Sequence, residues 1–155
     1  MGGTPRSCCF SGHRRLSKDE NIALALTDEI NRLIERGVRD FYAGGALGFD
    51  TVAAECVLKA RTAHPGIRLI LMLPCKDQAA HWRAADREKY ERIKRAADRV
   101  EYACEEYDGY CMLKRNRLMV EASDICVCYL KASRSGTAYT VKYAKNRGLE
   151  IINLA

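Results

Sequence analysis

Apolar positions along this 155-residue chain switch repeatedly between a short continuous run and a helical stripe. Ser7–Phe10 reads as a short apolar strand. Ile22, Leu26, Ile30 and Leu33/Ile34 then form one helical face, ended by Gly37. Ser17 and Glu20 before it have capping-box spacing. Val38–Ala43 predicts a second strand and Thr51–Ala63 a second helix, with Val52, Cys56 and Ala60 on one side. Ile67–Leu73 is apolar without alternation and stops at Pro74, as a strand buried on both faces does. After a polar stretch from Pro74 to Ala84, a helix is predicted over 85–98, with Tyr90, Ile93 and Ala97 inward. Arg99–Ala103 predicts a more polar fourth strand, Tyr110–Ser123 a helix and Asp124–Leu130 a strong fifth strand. A helix capped within Ser133–Ser135 runs to Arg147 and stops at Gly148, and Leu149–Leu154 closes the pattern as a sixth strand.

Six strands alternating with five helices predict one doubly wound α/β domain over residues 1–155, with a mostly parallel sheet and helices on both faces. In the common order 3-2-1-4-5-6, ligands bind beyond the carboxyl ends of the strands, where the order reverses between strands 1 and 4. That order would bring four unusual segments to one edge. They are Gly12-His13-Arg14-Arg15 after strand 1, the glycines after strand 2, Arg115-Asn116-Arg117 after strand 4, and Ser133 to Thr137 after strand 5.

The glycine segment is Gly44-Gly45-Ala46-Leu47-Gly48-Phe49-Asp50-Thr51, at a strand-to-helix turn. Glycines let a backbone approach an anion closely, and a helix start offers free N–H groups and a positive dipole end. Phosphate contact is one reading of the loop; turn geometry alone is the other. It is neither Gly-x-Gly-x-x-Gly nor a Walker loop. Asp50 either caps the helix or binds a ribose hydroxyl or base amine. Ser135-Gly136-Thr137 reads as a second phosphate-binding turn or as a plain N-cap. His13 either meets a ligand, with acid/base capacity near neutral pH, or holds its loop. Arg14 and Arg15 either clamp an anion or are solvated. Arg115 shares a helix stripe with Met112 and Met119, where a charge needs a partner: a salt bridge or a bound phosphate or carboxylate. His81-Trp82 is a candidate lid.

The composition narrows the partners. No apolar run approaches the roughly 20 residues of a membrane helix, and no signal peptide is evident, so a cytoplasmic protein is expected. The net charge of +6 permits a polyanion without demanding one, and the basic residues from Arg83 to Arg99 are interleaved with acids as on a solvated helix face. Eight cysteines include no Cys-x-x-Cys pair, so neither a disulfide framework nor a metal site is predicted. Cys8, Cys9, Cys126 and Cys128 are expected to be buried thiols, and Cys75, Cys104 and Cys111 to lie in or near loops where exposure is open to them.

Cys8-Cys9-Phe10-Ser11-Gly12-His13-Arg14, the glycine segment, Arg115-Asn116-Arg117-Leu118-Met119 and Ser135-Gly136-Thr137-Ala138-Tyr139-Thr140, in that order, resemble the SLOG superfamily, and most closely its small single-domain bacterial members. The resemblance implies a Rossmann-like domain that binds nucleotides or nucleotide-derived ligands, with no cofactor required. Members include lonely-guy phosphoribohydrolases, the DNA-processing protein A domain and predicted sensors of nucleotide signals. On that pattern the glycine segment falls at the first phosphate motif, Arg115 at the catalytic arginine and Gly136-Thr137 at the second motif. The hydrolases' catalytic glutamate is replaced by Thr140. A carboxylate is the natural stabiliser of the cationic sugar in glycosidic hydrolysis, and Asp50 or Glu55 is the candidate to supply one from the opposite loop. The expectation is therefore a nucleotide-binding sensor or regulatory module. The alternatives are a nucleoside-monophosphate hydrolase and a single-stranded DNA binder. Relatives of this fold frequently dimerise, so a homodimer is the default.

Overall fold

A computed structural model describes residues 3–16, 21–131 and 134–155. Eleven elements follow one another as β1 (Ser7–Gly12), α1 (Ile22–Glu35), β2 (Asp40–Ala43), α2 (Phe49–Ala63), β3 (Arg68–Leu73), α3 (Ala84–Ala96), β4 (Arg99–Tyr102), α4 (Cys111–Glu121), β5 (Ile125–Tyr129), α5 (Gly136–Asn146) and β6 (Glu150–Asn153). The predicted alternation is present, with bounds shifted by a few residues. The Ser17/Glu20 capping box lies outside the described residues. Within them, Asn21 caps α1, its side chain accepting from the Leu24 N–H at 3.2 Å.

The six strands form one parallel sheet in the order β4-β3-β2-β1-β5-β6. The expected order 3-2-1-4-5-6 is thus corrected: β4 is an edge strand, and the reversal falls between β1 and β5. The physical reason is in the strands themselves. β5 is Ile-Cys-Val-Cys-Tyr and buried throughout, as a position beside β1 requires. β4 carries Arg99 and Glu101, and none of its residues is fully buried. These two side chains pair with each other at 3.2 Å. The other edge, β6, exposes Glu150 and Asn153.

Alternation along the central strands feeds two cores. Cys8, Phe10 and Phe41 face α1, α2 and α3 through Leu26, Ile30, Val57 and Ile93. Cys9, Tyr42, Cys126 and Cys128 face α4 and α5 through Met119, Val120, Val141 and Ala144. Phe10 stacks on Phe41 with centroids 6.2 Å apart and meets Phe49 edge-on at 6.4 Å. Truncating a buried ring of this kind costs about 3–5 kcal/mol. Helix α2 starts two residues earlier than predicted, and its buried side centres on Phe49, Ala53 and Val57; of the predicted face, Cys56 is buried while Val52 and Ala60 are only partly so.

All eight cysteines are free thiols. Cys8, Cys9, Cys126 and Cys128 are buried, as expected, but so are Cys75 and Cys111; only Cys104 is half-exposed. No described helix is long and apolar enough to cross a membrane.

Because β4 lies at one edge and β5 beyond β1, the connection between them must cross the sheet. Helix α4 makes that crossing, passing over β3 and β1 before packing beside α5. Its first turns therefore arrive at the carboxyl ends of the central strands.

Candidate functional site

A cavity of about 300 Å³ opens at the reversal between β1 and β5. It is lined by Phe10, Ser11, Gly12, His13 and Arg14 from β1 and its loop, Ala46 and Asp50 from the β2–α2 turn, Met112, Arg115 and Asn116 from α4, and Ser135, Gly136 and Thr137 at the start of α5. This volume lies at the small end of the range for small-molecule sites.

Three glycines named in the sequence, Gly44, Gly45 and Gly48, are not in the lining. They serve close packing. A Cβ on Gly44 would lie 2.6 Å from Arg115 Nη1 and 2.9 Å from Asp50 Oδ2. Gly45 (φ +74°) presses on Leu73, and Gly48 (φ +79°) on the backbone of Arg14, whose carbonyl oxygen would be 2.2 Å from an added Cβ. Gly12 does both: it lines the cavity and lies against the Phe49 ring, 2.3 Å from where its Cβ would stand. Thr51 also lies outside the lining, its hydroxyl donating to Ala46 O at 2.9 Å. Glycine is needed here so that other residues can reach the cavity.

Arg115 is the centre of the site. It is only 4% exposed. Its guanidinium donates to Gly44 O, to Asn116 Oδ1 at 2.7 Å and toward Met112 Sδ at 3.5 Å, and makes no ion pair among the described residues. Burial pushes its pKa below the ordinary value, and the nearby Asp50 carboxylate opposes that. Asp50, 6% exposed in the first turn of α2, accepts from the Ala46 N–H at 3.3 Å. Burial raises its pKa, with Arg115 pulling the other way. For both groups desolvation is the largest influence, so the two charges face one cavity without fully compensating each other.

His13 holds its loop. Its Nε2 accepts from the Lys131 N–H at 3.0 Å, its carbonyl accepts from the Phe49 N–H, and its ring meets Tyr129 edge-on. These contacts tie the β1 loop to β5 and α2 while one side of the imidazole lines the cavity. Arg14 is exposed at the rim and Arg15 is exposed outside the lining. Ser135 caps α5 by accepting from the Ala138 N–H at 3.1 Å, which leaves the N-terminus of that helix directed at the cavity with Gly136 and Thr137. Ser133 lies outside the described residues.

Thr140 is 1% exposed, and its hydroxyl donates to Gly136 O within α5 at 3.0 Å. It is not in the cavity lining, where Asp50 is the one carboxylate among the described residues. Glu55 lies elsewhere, between Lys89 at 3.8 Å and Arg92 at 3.6 Å. His81 and Trp82 are also outside the lining; Trp82 packs edge-on against Tyr90 at 5.2 Å.

Four lining residues were not singled out from sequence: Phe10, Ser11, Ala46 and Met112. Two further groups beside the glycine turn carried no sequence signal. Gln78 Oε1 and the Tyr90 ring both come within 3.4 Å of the Cβ position of Gly45. The Gln78 amide and the Tyr90 hydroxyl are covered and have no hydrogen-bond partner among the described residues.

Comparison with known proteins gives this arrangement its relatives. UPF0398 protein BH1768 of Halalkalibacterium halodurans is 36% identical over 129 residues, covering 81% of this chain and 68% of that protein. The uncharacterized SPbeta prophage-derived protein YoqJ of Bacillus subtilis is 33% identical over 140 residues, covering 79% of this chain and 81% of its own length. Among solved structures, DNA processing protein A from Helicobacter pylori, described for its single-stranded DNA binding mode, superposes with a TM-score of 0.68 at 22% identity. The Streptococcus pneumoniae protein of the same name gives 0.68 at 18%. At those identities the likeness is one of fold. It covers 96% and 94% of this chain but 64% and 49% of the two longer chains. The model of the YspA SLOG family matches residues 10–151, from the strand before His13 to the last strand after α5, and the chain belongs to that family.

Proposed function

We propose that this domain binds a nucleotide or nucleotide-derived small molecule in the cavity at the β1/β5 reversal and acts as a sensor or regulatory module. The observation that carries the reading is Arg115, a buried guanidinium with no ion pair among the described residues, opposite the N-terminus of α5. A charge kept out of water is costly, the Asp50 carboxylate offsets only part of that cost, and a bound phosphate supplies further counter-charge. The free N–H groups of α5 at Gly136 and Thr137 attract the same anion. Arg14 at the rim adds a second cation, and Asp50 offers an acceptor to a ribose hydroxyl or a base amine. Gly44, Gly45, Gly48 and Thr51 support the site from behind, by letting Arg115 and the Arg14 backbone come close. No cofactor is invoked, and a homodimer is part of the proposal.

Isothermal calorimetry against AMP, NAD and ADP-ribose tests it. Saturable binding of at least one, reduced at least tenfold in Arg115→Met, is expected. A folded protein that binds none of them refutes the proposal.

Hydrolysis is the second reading, because Asp50 is a carboxylate inside the cavity with its pKa raised, as a general acid requires. Thr140 argues against it, since its hydroxyl is engaged within α5. Chromatography of AMP held with concentrated protein is expected to show no adenine; adenine that vanishes in Arg115→Met would establish the hydrolase instead. Single-stranded DNA binding, the property described for the Helicobacter pylori neighbour, is less favoured. Arg117, the basic residue next to exposed Tyr139, is already engaged with Tyr139 and Tyr143. DNA retention that falls steeply with salt would reverse that order.

A further inference from the structure

The turn between β4 and α4 brings together a second chemical grouping, separate from the cavity. Cys104 Sγ, Cys111 Sγ and a carboxylate oxygen of Asp108 all lie within 4.8 Å of one another. Asp108 Oδ1 is 3.3 Å from Cys111 Sγ. A tetrahedral cation with bonds of about 2.3 Å to sulfur and about 2.0 Å to oxygen holds two such ligands about 3.5 Å apart. The observed edge therefore needs only a few tenths of an ångström of adjustment. The Asp108 N–H also points at Cys111 Sγ from 3.2 Å, the type of backbone contact that stabilises sulfur as a thiolate. Two sulfurs and one carboxylate select a thiophilic, tetrahedral cation over magnesium or calcium, which demand oxygen ligands. Cys111 is buried, Cys104 half-exposed and Asp108 exposed, so the grouping has a dry inner wall and an open outer side.

We propose that Cys104, Asp108 and Cys111 bind one zinc-class divalent cation, with three protein ligands and a fourth position facing solvent. The Cys-x6-Cys spacing is why no metal site was expected from sequence: it matches no ordinary zinc signature and relies on the turn to close it. Cys111 is the first residue of α4, and Arg115 follows at i+4 on the same helix face. The cation would thus pin the start of the helix that carries Arg115 to the end of β4, one helical turn from the cavity.

Cobalt(II) titration of the 155-residue chain, reduced and metal-free, tests this. The expected result is saturation at one equivalent, with a sulfur-to-cobalt charge-transfer band and intense tetrahedral bands in the visible, all abolished by one equivalent of zinc. Cys104→Ser should remove roughly half of the charge-transfer intensity, since one of two thiolates is lost, and Asp108→Asn should weaken cobalt binding at least tenfold. Cys56→Ser should change nothing. Cys111 is fully buried, so Cys111→Ser is a supplementary variant; the half-exposed Cys104 and exposed Asp108 carry the test if it fails to fold. Weak octahedral cobalt spectra, full charge-transfer intensity in Cys104→Ser, or a mass two hydrogens lower that marks a Cys104–Cys111 disulfide in the reduced protein would each overturn the proposal.

Discussion

Gly48 offers a direct test of how the cavity is built, because two separable penalties meet there. Its backbone is the first: φ +79° with ψ −123° is a region that residues with a side chain rarely adopt, at a cost of about 1–3 kcal/mol. The second is the Arg14 backbone. An added Cβ would stand 2.2 Å from Arg14 O, where side-chain carbons keep at least 3.0 Å, so the loop must retreat by about 0.8 Å. Forcing volume into a packed site adds about 1–3 kcal/mol. Gly48→Ala should therefore lose roughly 2–6 kcal/mol in urea unfolding followed by circular dichroism. Two other glycines separate the contributions. Gly148 has φ +84° with nothing within 4 Å of its Cβ position, so Gly148→Ala reads a positive-φ penalty free of steric contact, about 1–2 kcal/mol. Gly66 has open space and no left-handed φ, so Gly66→Ala should be neutral or gain up to about 1 kcal/mol by restricting the unfolded chain. The expected order of stability is Gly66→Ala, Gly148→Ala, Gly48→Ala. If Gly48→Ala loses no more than Gly148→Ala, the Arg14 backbone does not press on Gly48 and the described packing behind the cavity is wrong.

Asp50 should shape the pH dependence of stability. Its folded pKa is raised by burial, so its contribution to stability is full below its ordinary value of 3.8 and is lost as pH rises toward the folded value. Chemical denaturation across pH should show that falling limb in the natural protein and not in Asp50→Asn; parallel curves would contradict it. Tyr90→Phe removes a buried hydroxyl without a partner among the described residues, and should hold or raise the melting temperature by about 2–4 °C, since an unsatisfied polar group costs about 1 kcal/mol or more. A clear fall in melting temperature would mean that the hydroxyl is satisfied. Gly44→Ala, with its Cβ position 2.6 Å from Arg115 Nη1, should weaken AMP binding at least tenfold if the proposed function is right, as loss of one charge-assisted contact worth about 1.5–3 kcal/mol implies. Calorimetry reads this, and unchanged affinity would remove Arg115 from the binding account.

What the sequence made legible follows a physical line. Patterns carried by neighbouring residues were readable: the alternation of strands and helices, the burial of Cys8, Cys9, Cys126 and Cys128, and the inward placement of Arg115 between Met112 and Met119. The strand order was misread although its signal was present, because Arg99 and Glu101 alternate along β4 as only an edge strand tolerates. The role of Gly44 was not legible. What approaches it is Arg115, 71 residues away, and nothing near Gly44 in the chain announces that contact. The unpartnered Gln78 and Tyr90 groups were hidden for the same reason, since a lack of partners is a property of the assembled fold. Cys104 and Cys111 became neighbours only through a turn whose shape their spacing does not encode.

The two edge strands bear on how copies of this protein can associate. On β4, Arg99 and Glu101 pair along one face of the strand, and β6 presents Glu150, bridged to Arg36 at 2.7 Å, while Asn153 turns back to Leu130. Charged, self-occupied edges resist the addition of a further strand. Association of copies through these two strand edges is therefore disfavoured, which keeps the sheet at six strands.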